Sequence, residues 1–259
     1  MMITSKGNTK IKWVRRIQSS RRFRQKERLF IVEGNRWIRE LAQLEYWPAS
    51  LFATESWLQE PENQSLIKNF PVTPLTVSDQ IMDHASSLES APGILAVPPM
   101  PSISLPEAPA FILILDRIAN PGNLGSLLRS AAAAGVDGVL LTPGCADPFN
   151  PKALRGGMGV QIRLPIENLE WADIRHLTDS LAVFIASSRG GRTFYSVDWR
   201  FPSAVIIGSE ASGPSEEAQN LAQSEITIPM RSGVESLNAA VAGGIILFEV
   251  ARQRAELNN

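Results

Sequence analysis

Apolar strands alternate with helical segments from residue 111 onward, and this alternation constrains the fold more than any other feature. The stretch FILILD (111–116) is continuously apolar up to its last residue, which is typical of a strand buried in a parallel sheet. The helical stretch NLGSLLRSAAAAG, the strand GVLLT and the short helix NPKALRG follow it. Further strands are predicted in QIRLPI, LAVFIAS, AVIIGSE and EITIPM, with helices near residues 172–180 and 214–222. The succession predicts an α/β domain with a mostly parallel sheet, which binds ligands beyond the carboxyl ends of its strands.

The stretch 226–252 ends this pattern with a strand, a polar loop and a helix of small residues. Its helix contains the adjacent glycines Gly243 and Gly244. Each glycine costs about 1 kcal/mol relative to alanine in a helix interior, so the pair indicates close packing. A strand that leads through a polar loop into such a helix favours a small-molecule site, although many α/β proteins share this pattern.

The first hundred residues predict a smaller α/β unit. A helix capped by Asn8 or Thr9 runs through IKWVRRIQSSRRFRQKERL, and a second helix, NRWIRELAQLEY, places Trp37, Leu41 and Leu44 on one side. Strands are predicted in LFIVEG, SLFAT, PVTPLTV and GILAV, with helices near residues 58–69 and 79–88. Residues 98–109 contain five prolines, which indicates a linker. The predicted domains are therefore 1–97 and 110–259.

Charge is distributed unevenly along the chain. Residues 1–40 contain twelve Lys or Arg against three Glu, a local charge of +9, while the remaining residues sum to −10. Such a basic segment favours a phosphate or nucleic-acid surface, because cations release counterions from a polyanion. A solvated, charged helix would explain the composition equally well.

Several classes of protein are disfavoured by the sequence. The apolar runs are too short for a membrane span, and the first residues lack the apolar core of a signal peptide. One cysteine, Cys145, and two histidines, His84 and His176, argue against disulfides, a metal cluster and a Ser-His-Asp triad. Both histidines are predicted on helix surfaces. Dinucleotide and triphosphate-binding glycine motifs are missing from the sequence. We therefore predict a cytoplasmic protein without a membrane or metal partner.

Three strand-end loops occur in a specific order: ANPGNLGSLLR (119–129), IGSEASG (207–213), and IPM (228–230) followed by SLN (236–238). In this order they resemble the motifs of the SpoU/TrmH branch of the SPOUT superfamily, the S-adenosylmethionine-dependent RNA 2′-O-methyltransferases. EGNRWIREL and APGILAV look like the accompanying N-terminal RNA-binding domain, and DPFNPKALRGGMG resembles the connection after the first motif. The resemblance implies a trefoil knot in the C-terminal domain, a homodimer and an RNA substrate. Ribosomal RNA is favoured over transfer RNA on the resemblance alone.

The resemblance also implies the residues of a cofactor site. Main-chain groups around Gly208, Ile228 and Leu237 would hold S-adenosylmethionine, with Met230 and Asn238 nearby. Glycine permits close backbone approach, and main-chain amides and carbonyls can read an adenine edge. Without the resemblance, Ile228 and Leu237 would be assigned to core packing.

The catalytic residues implied by the resemblance are Arg129, Asn123, Glu210, Ser236 and Asn238. We assign Arg129 to phosphate binding and alkoxide stabilisation, because a guanidinium with a pKa of about 12 or more is a poor base. Asn123 would position the loop or substrate, Glu210 would order the site, and Ser236 and Asn238 would bind ribose or cofactor. The alternative for Arg129 is a surface helix residue.

Two departures from the family pattern leave a second hypothesis open. In the second motif Ser209 and Ala211 replace the usual residues and Pro214 stands where leucine is common, and Gly156 and Gly157 follow Arg155 where the family has Ala-Ser. The alternative is a catalytically silent RNA-binding protein that retains the fold. Base methylation through Cys145 is a weaker third hypothesis, because no activating base is evident near this cysteine.

Overall fold

The computed structural model describes residues 2–188, 190–209, 212–231 and 234–256. The chain divides into two compact units, an N-terminal unit of residues 1–101 with 149–154, and a C-terminal unit of residues 102–148 with 155–259. The predicted domains, 1–97 and 110–259, are continuous in sequence, so they do not place residues 149–154 in the N-terminal unit.

The N-terminal unit carries a four-stranded mixed sheet and helices in the part of the chain that the structure describes. Its strand order is β1-β4-β2-β3, where β4 is antiparallel to β1 and β2, and β3 is parallel to β2. The elements are α1 (Thr9–Ser19), α2 (Arg21–Glu27), β1 (Val32–Glu33), α3 (Asn35–Gln43), β2 (Ser50–Thr54), α4 (Glu55–Gln59), α5 (Pro61–Ile67), β3 (Leu75–Val77), α6 (Asp79–Ala85) and β4 (Ile94–Val97).

The predicted first helix is two helices, because the chain is extended at Ser20 (φ −117°, ψ 111°). The Ser20 hydroxyl accepts a hydrogen bond from Phe23 N and so begins α2, while Asn8 caps α1 as predicted. In α3 the prediction was wrong about Leu44. The helix ends at Gln43 and buries Ile38 and Leu41, which leaves Leu44 37% exposed.

Arg24 is a structural residue rather than a surface charge. Its side chain is buried, and Nη1 donates to Ile17 O at 2.7 Å and to Gln18 O at 2.8 Å. These carbonyls belong to the last turn of α1, where backbone acceptors lack helical partners. Arg24 therefore fixes α2 against the end of α1.

The C-terminal unit is built on a seven-stranded parallel sheet, counted over the described residues, in the order β7-β6-β5-β10-β8-β11-β9. Its elements are β5 (Phe111–Asp116), α7 (Pro121–Ala133), β6 (Gly138–Leu141), α8 (Pro151–Gly157, whose first four residues belong to the N-terminal unit), β7 (Ile166–Asn168), α9 (Trp171–Thr178), β8 (Ala182–Ala186), β9 (Arg192–Thr193), β10 (Ser203–Gly208), α10 (Glu216–Leu221), β11 (Ser224–Thr227) and α11 (Ala239–Ala255). The predicted parallel α/β architecture is confirmed.

The sheet buries side chains on both faces. Leu113, Leu115 and Ile207 lie in a cluster with residues of α7 and α11, while Ile112, Ile114 and Ile206 pack with residues of α9 and α10 on the other face. This two-sided burial explains why FILILD carries no alternating pattern.

One predicted strand is largely a turn. Of QIRLPI, residues Gln161 and Ile162 lie in a 3₁₀ turn (Val160–Ile162) that follows left-handed Met158 (φ 53°) and Gly159 (φ 95°), and β7 begins only at Ile166. Ile162 and Leu164 are nevertheless buried. The prediction of a strand over QIRLPI was therefore wrong for its first residues.

Helix α11 packs closely against α7, as its small residues predict. A Cβ atom on Gly243 would lie 2.4 Å from Leu127 Cδ2, whereas one on Gly244 would make an ordinary contact of 3.6 Å with Ser130 Oγ. Close packing therefore requires the first glycine only. Within the described ranges no helix has the length and apolar character needed to cross a membrane.

Candidate active site

The polar loops gather at one edge of the parallel sheet. Strands β5 and β10 are adjacent and in register, so that Asp116 pairs with Gly208 at their carboxyl ends. The loops that contain the predicted site residues leave the sheet after β5, β10 and β11. Parallel strands place all three loops at the same edge.

The first and third loops meet at the amino-terminal ends of α7 and α11. Asn120 caps α7 by accepting from Gly122 N at 2.8 Å, and Asn238 caps α11 by accepting from Ala240 N at 3.0 Å and Val241 N at 3.3 Å. Asn238 Nδ2 also donates to Asn123 Oδ1 at 3.3 Å. The structure thus brings two predicted site residues, Asn123 and Asn238, into direct contact.

The other predicted site residues of the third loop differ in exposure. Ile228, Met230 and Leu237 are half-buried, and Ser236 is exposed. Ile228 packs against the core, as its alternative assignment predicts, yet part of its surface remains accessible. Glu210, predicted to order the site, lies outside the described residues.

Arg129 is exposed on α7, and no contact with Asn123 or Asn238 is found for it. It lies six residues after Asn123, about 9 Å further along the helix and about 240° around it. Among the described residues it has neither a hydrogen-bond nor an ion-pair partner. The side chain is therefore accessible to an anion from solvent.

The described ends of the second loop lie close together after β10. Gly213 N donates to Ser209 O at 2.9 Å, and a Cβ atom on Gly208 would lie 2.7 Å from Pro214 N. Any side chain at Gly208 would therefore displace the loop backbone. The glycine is required by the loop itself, whether or not a ligand also approaches it.

Asp116 and Arg117 connect the strand ends and were missed as site residues in the sequence. Asp116 is fully buried, and its carboxylate accepts from Thr142 Oγ1 at 3.2 Å and from Ser215 N at 2.6 Å. Arg117 Nε lies 3.4 Å from Asp116 Oδ1, and Nη2 donates to Gly213 O at 3.2 Å. The sequence did contain one signal for them, the aspartate that ends the apolar run FILILD. A carboxylate buried at the end of a strand needs hydrogen-bond or ion-pair partners nearby.

Cys145 has the environment of a structural thiol. It is buried, Sγ donates to Leu115 O at 3.1 Å, and Sγ accepts from Ile118 N at 3.3 Å. Burial raises the pKa of the thiol, so it remains protonated and unreactive. The structure therefore gives no support to a cysteine nucleophile.

Both histidines lie on helices, as predicted. His84 is half-buried in α6, and His176 is exposed in α9. The pKa of His84 is lowered, first by desolvation and then by the neighbouring charges of Arg15 and Lys6. This places His84 beside the basic segment of the N-terminal unit.

Comparison with known proteins agrees with this geometry. The SpoU rRNA Methylase family matches residues 110–248, and the MRM3-like substrate binding domain matches residues 8–96. The mitochondrial rRNA methyltransferase 3 of Mus musculus is 32% identical over 95% of this chain and 73% of its own length.

Several solved structures cover nearly the whole chain. An RNA 2′-O ribose methyltransferase is similar with a TM-score of 0.83 and 29% identity, over 98% of this chain and 100% of that one. The SpoU methyltransferase AviRb of Streptomyces viridochromogenes, solved in complex with AdoMet, gives a TM-score of 0.87 and 25% identity, over 96% and 98% of the two chains.

The parallel sheet with polar loops at its carboxyl edge defines the class, an α/β protein that binds its ligand beyond the strand ends. Within that class, the chain belongs to the SpoU rRNA Methylase family.

The strand-end loops fit the S-adenosylmethionine that this family uses. Half-buried Ile228, Met230 and Leu237 leave apolar surface accessible next to main-chain polar groups. Apolar walls with a few fixed polar groups are typical of a small-molecule site. At Gly208 only main-chain groups are available to the cofactor, because a Cβ atom there would lie 2.7 Å from Pro214 N.

Proposed function

We propose that the protein transfers a methyl group from S-adenosylmethionine to a ribose 2′-hydroxyl of ribosomal RNA. The observation that carries the proposal is the hydrogen bond between Asn238 and Asn123, which joins the first and third loops at the carboxyl edge of the sheet. The family, the AdoMet-bound neighbour and the rRNA-modifying relatives support it. Ribosomal RNA is preferred to transfer RNA because the family and the relative from Mus musculus are both described as methylating rRNA.

Main-chain groups around Gly208, Ile228 and Leu237 would hold the cofactor, with Met230 and Asn238 beside it. When bound, S-adenosylmethionine supplies an electrophilic methyl group on its sulfonium. The loops of this chain would hold the cofactor beside the ribose, and such positioning supplies much of the rate enhancement of a reaction between two bound molecules.

The side chains of this site act through position and charge. Asn123 and Asn238 are neutral, and Arg129 carries the positive charge of a guanidinium. Arg129 is therefore suited to hold the phosphate next to the reacting ribose and to stabilise negative charge on the 2′-oxygen. The first amides of α7 and α11 are already bound by Asn120 and Asn238, so the helix ends add positive potential rather than free donors.

RNA recognition is assigned to the N-terminal unit. Lys12, Arg15 and Arg16 are exposed on α1, whose buried residues include Ile11 and Val14. With Arg22 and Lys26 of α2 they form the set called here the basic face. None of these five lies within ion-pair distance of a carboxylate of the described residues, so each can release counterions from RNA phosphates.

A homodimer is part of the proposal. Val241, Ile245 and Phe248 follow one another at helical spacing on α11 and are 51%, 38% and 54% exposed. Large apolar side chains in a stripe favour burial against a second copy of the chain. In sedimentation velocity, the wild type should be a dimer and Ile245→Glu/Phe248→Glu a monomer, with Leu177→Glu, an exposed leucine of α9, as control. A monomeric wild type at micromolar concentration contradicts the dimer.

The trefoil knot and a cytoplasmic location also belong to the proposal, and both rest on the family resemblance and the sequence. The proposed chemistry uses no metal, so EDTA should leave the rate unchanged.

The direct test offers the protein radiolabelled cofactor with ribosomal RNA or transfer RNA from a strain that lacks it. We expect label in ribosomal RNA, resistant to alkaline cleavage at one ribose because the 2′-hydroxyl is blocked. The altered second loop, with Ser209 and Pro214, favours one other candidate, a silent RNA-binding protein. RNA binding without turnover at any cofactor concentration would support that candidate.

A further inference from the structure

Arg117 occupies a constrained backbone position directly after β5. Its φ of 55° lies in the left-handed region, which a residue with a side chain rarely adopts. Its N–H donates to Thr142 Oγ1 at 3.0 Å, and Thr142 Oγ1 donates in turn to the buried Asp116. The end of β6 therefore holds Arg117 in this conformation.

The Arg117 side chain packs against Gly144 and lies next to Asp116. A Cβ atom on Gly144 would lie 3.2 Å from Arg117 Cγ, so the stem packs on bare backbone. Nε lies 3.4 Å from Asp116 Oδ1, and the side chain remains 40% exposed. In this position the guanidinium reaches the loop that follows β10.

The guanidinium contacts that loop where it turns back. Arg117 Nη2 donates to Gly213 O at 3.2 Å, and Asp116 Oδ2 accepts from Ser215 N at 2.6 Å. The adjacent residues Asp116 and Arg117 thus hold the returning side of the loop through one acceptor and one donor. The other side is closed by the Gly213 N to Ser209 O hydrogen bond.

We infer that Arg117 is a positioning residue that holds the loop after β10 in the conformation that binds the cofactor. This inference rests on the proposed function, because it assigns that loop to the cofactor site. Arg117 does not touch the reacting atoms. Its effect is on the affinity of the site, through a main-chain contact that the second-motif side chains do not supply.

The test compares Arg117→Met, which keeps the stem and loses every donor, with Arg117→Lys, which keeps the charge beside Asp116. Arg200→Met is the matched control, because Arg200 pairs with Asp198 at 2.7 Å in the segment before β10. Calorimetric titration with S-adenosylmethionine should give a Kd about five-fold higher for both Arg117 variants, as expected for one charge-assisted hydrogen bond at a half-exposed site. The control should match the wild type.

The steady-state constants separate positioning from a general structural role. We expect KM for the cofactor to rise with Kd, while kcat at saturating cofactor and KM for RNA stay within about two-fold. An unchanged Kd in Arg117→Met, a wild-type Kd in Arg117→Lys, or a parallel fall of kcat with the melting temperature would each overturn the inference. A wild-type protein that binds no cofactor, with or without RNA, contradicts the proposed function instead.

Discussion

Asn238 donates from Nδ2 to Asn123 Oδ1 at 3.3 Å, across 115 residues of sequence. The same Asn238 side chain accepts from the first amides of α11 through Oδ1. One amide therefore begins the C-terminal helix with its oxygen and joins the first loop with its nitrogen. The helix cap and the contact with Asn123 can be separated by substitution.

Asn238→Asp should keep the helix cap and lose the contact with Asn123. A carboxylate caps helices as well as an amide does, so the free energy of unfolding should stay near that of the wild type. It cannot donate to Asn123 Oδ1, so methyl transfer should fall roughly ten-fold or more. Asn238→Ala should show the same loss of activity together with about 1 kcal/mol of destabilisation. Chemical denaturation and single-turnover kinetics measure the two effects.

Asn120→Asp is the matched control for the new charge, because Asn120 caps the neighbouring helix α7 through its side-chain oxygen. It should retain activity within about three-fold. Full activity in Asn238→Asp would show that the contact with Asn123 has no role in the reaction.

Charge reversal on the basic face should weaken RNA binding without affecting the cofactor. In Lys12→Glu/Arg15→Glu/Arg16→Glu, the slope of log K against log salt should shrink by about two to three, since each neutralised phosphate contributes about 0.7 to 0.9. The control triple, Arg36→Glu/Arg39→Glu/Lys68→Glu, changes exposed cations of the same unit outside the basic face. An equal loss of affinity in both triples would contradict the assignment to α1.

Cys145 should be inert in the native protein. Burial raises its pKa, so the thiolate that reacts with alkylating or disulfide reagents is scarce at pH 8. We expect labelling by a thiol reagent to be slow until denaturant is added. Cys145→Ala should methylate RNA at the wild-type rate, although the lost contacts with Leu115 and Ile118 will lower stability. A large fall in kcat, with folding intact, would support a mechanism in which Cys145 is the nucleophile.

The parallel sheet was predictable because its signal is local. FILILD and AVIIGSE carry enough continuous apolar character to specify buried strands, and both are observed, in β5 and β10. The break at Ser20 was not predictable from periodicity, because Phe23 is the only apolar residue between Ile17 and Leu29 and so the pattern does not show where a helix ends. The Ser20 hydroxyl, which caps the following helix, marks the break.

The geometry of the site depends on contacts between distant residues. Periodicity could not show that Asn238 contacts Asn123, nor that Arg117 reaches Gly213, since each contact is set by the order of strands in the sheet. The family resemblance named Asn123 and Asn238 but could not name Arg117 or Asp116, which lie outside its three motifs. Arg24 was counted as a surface charge because only the tertiary structure shows the carbonyls it binds.

The most direct test of the account maps 2′-O-methyl groups in ribosomal RNA after reaction with the wild type, with Arg129→Ala, or with Arg175→Ala. Arg175 is an exposed arginine of α9 and serves as the control. We predict one modified ribose for the wild type and Arg175→Ala. For Arg129→Ala we predict a rate lower by about 10²–10³, as expected when a charge that stabilises the transition state is removed, with the Kd for S-adenosylmethionine unchanged. Equal modification by the wild type and Arg129→Ala would contradict the account.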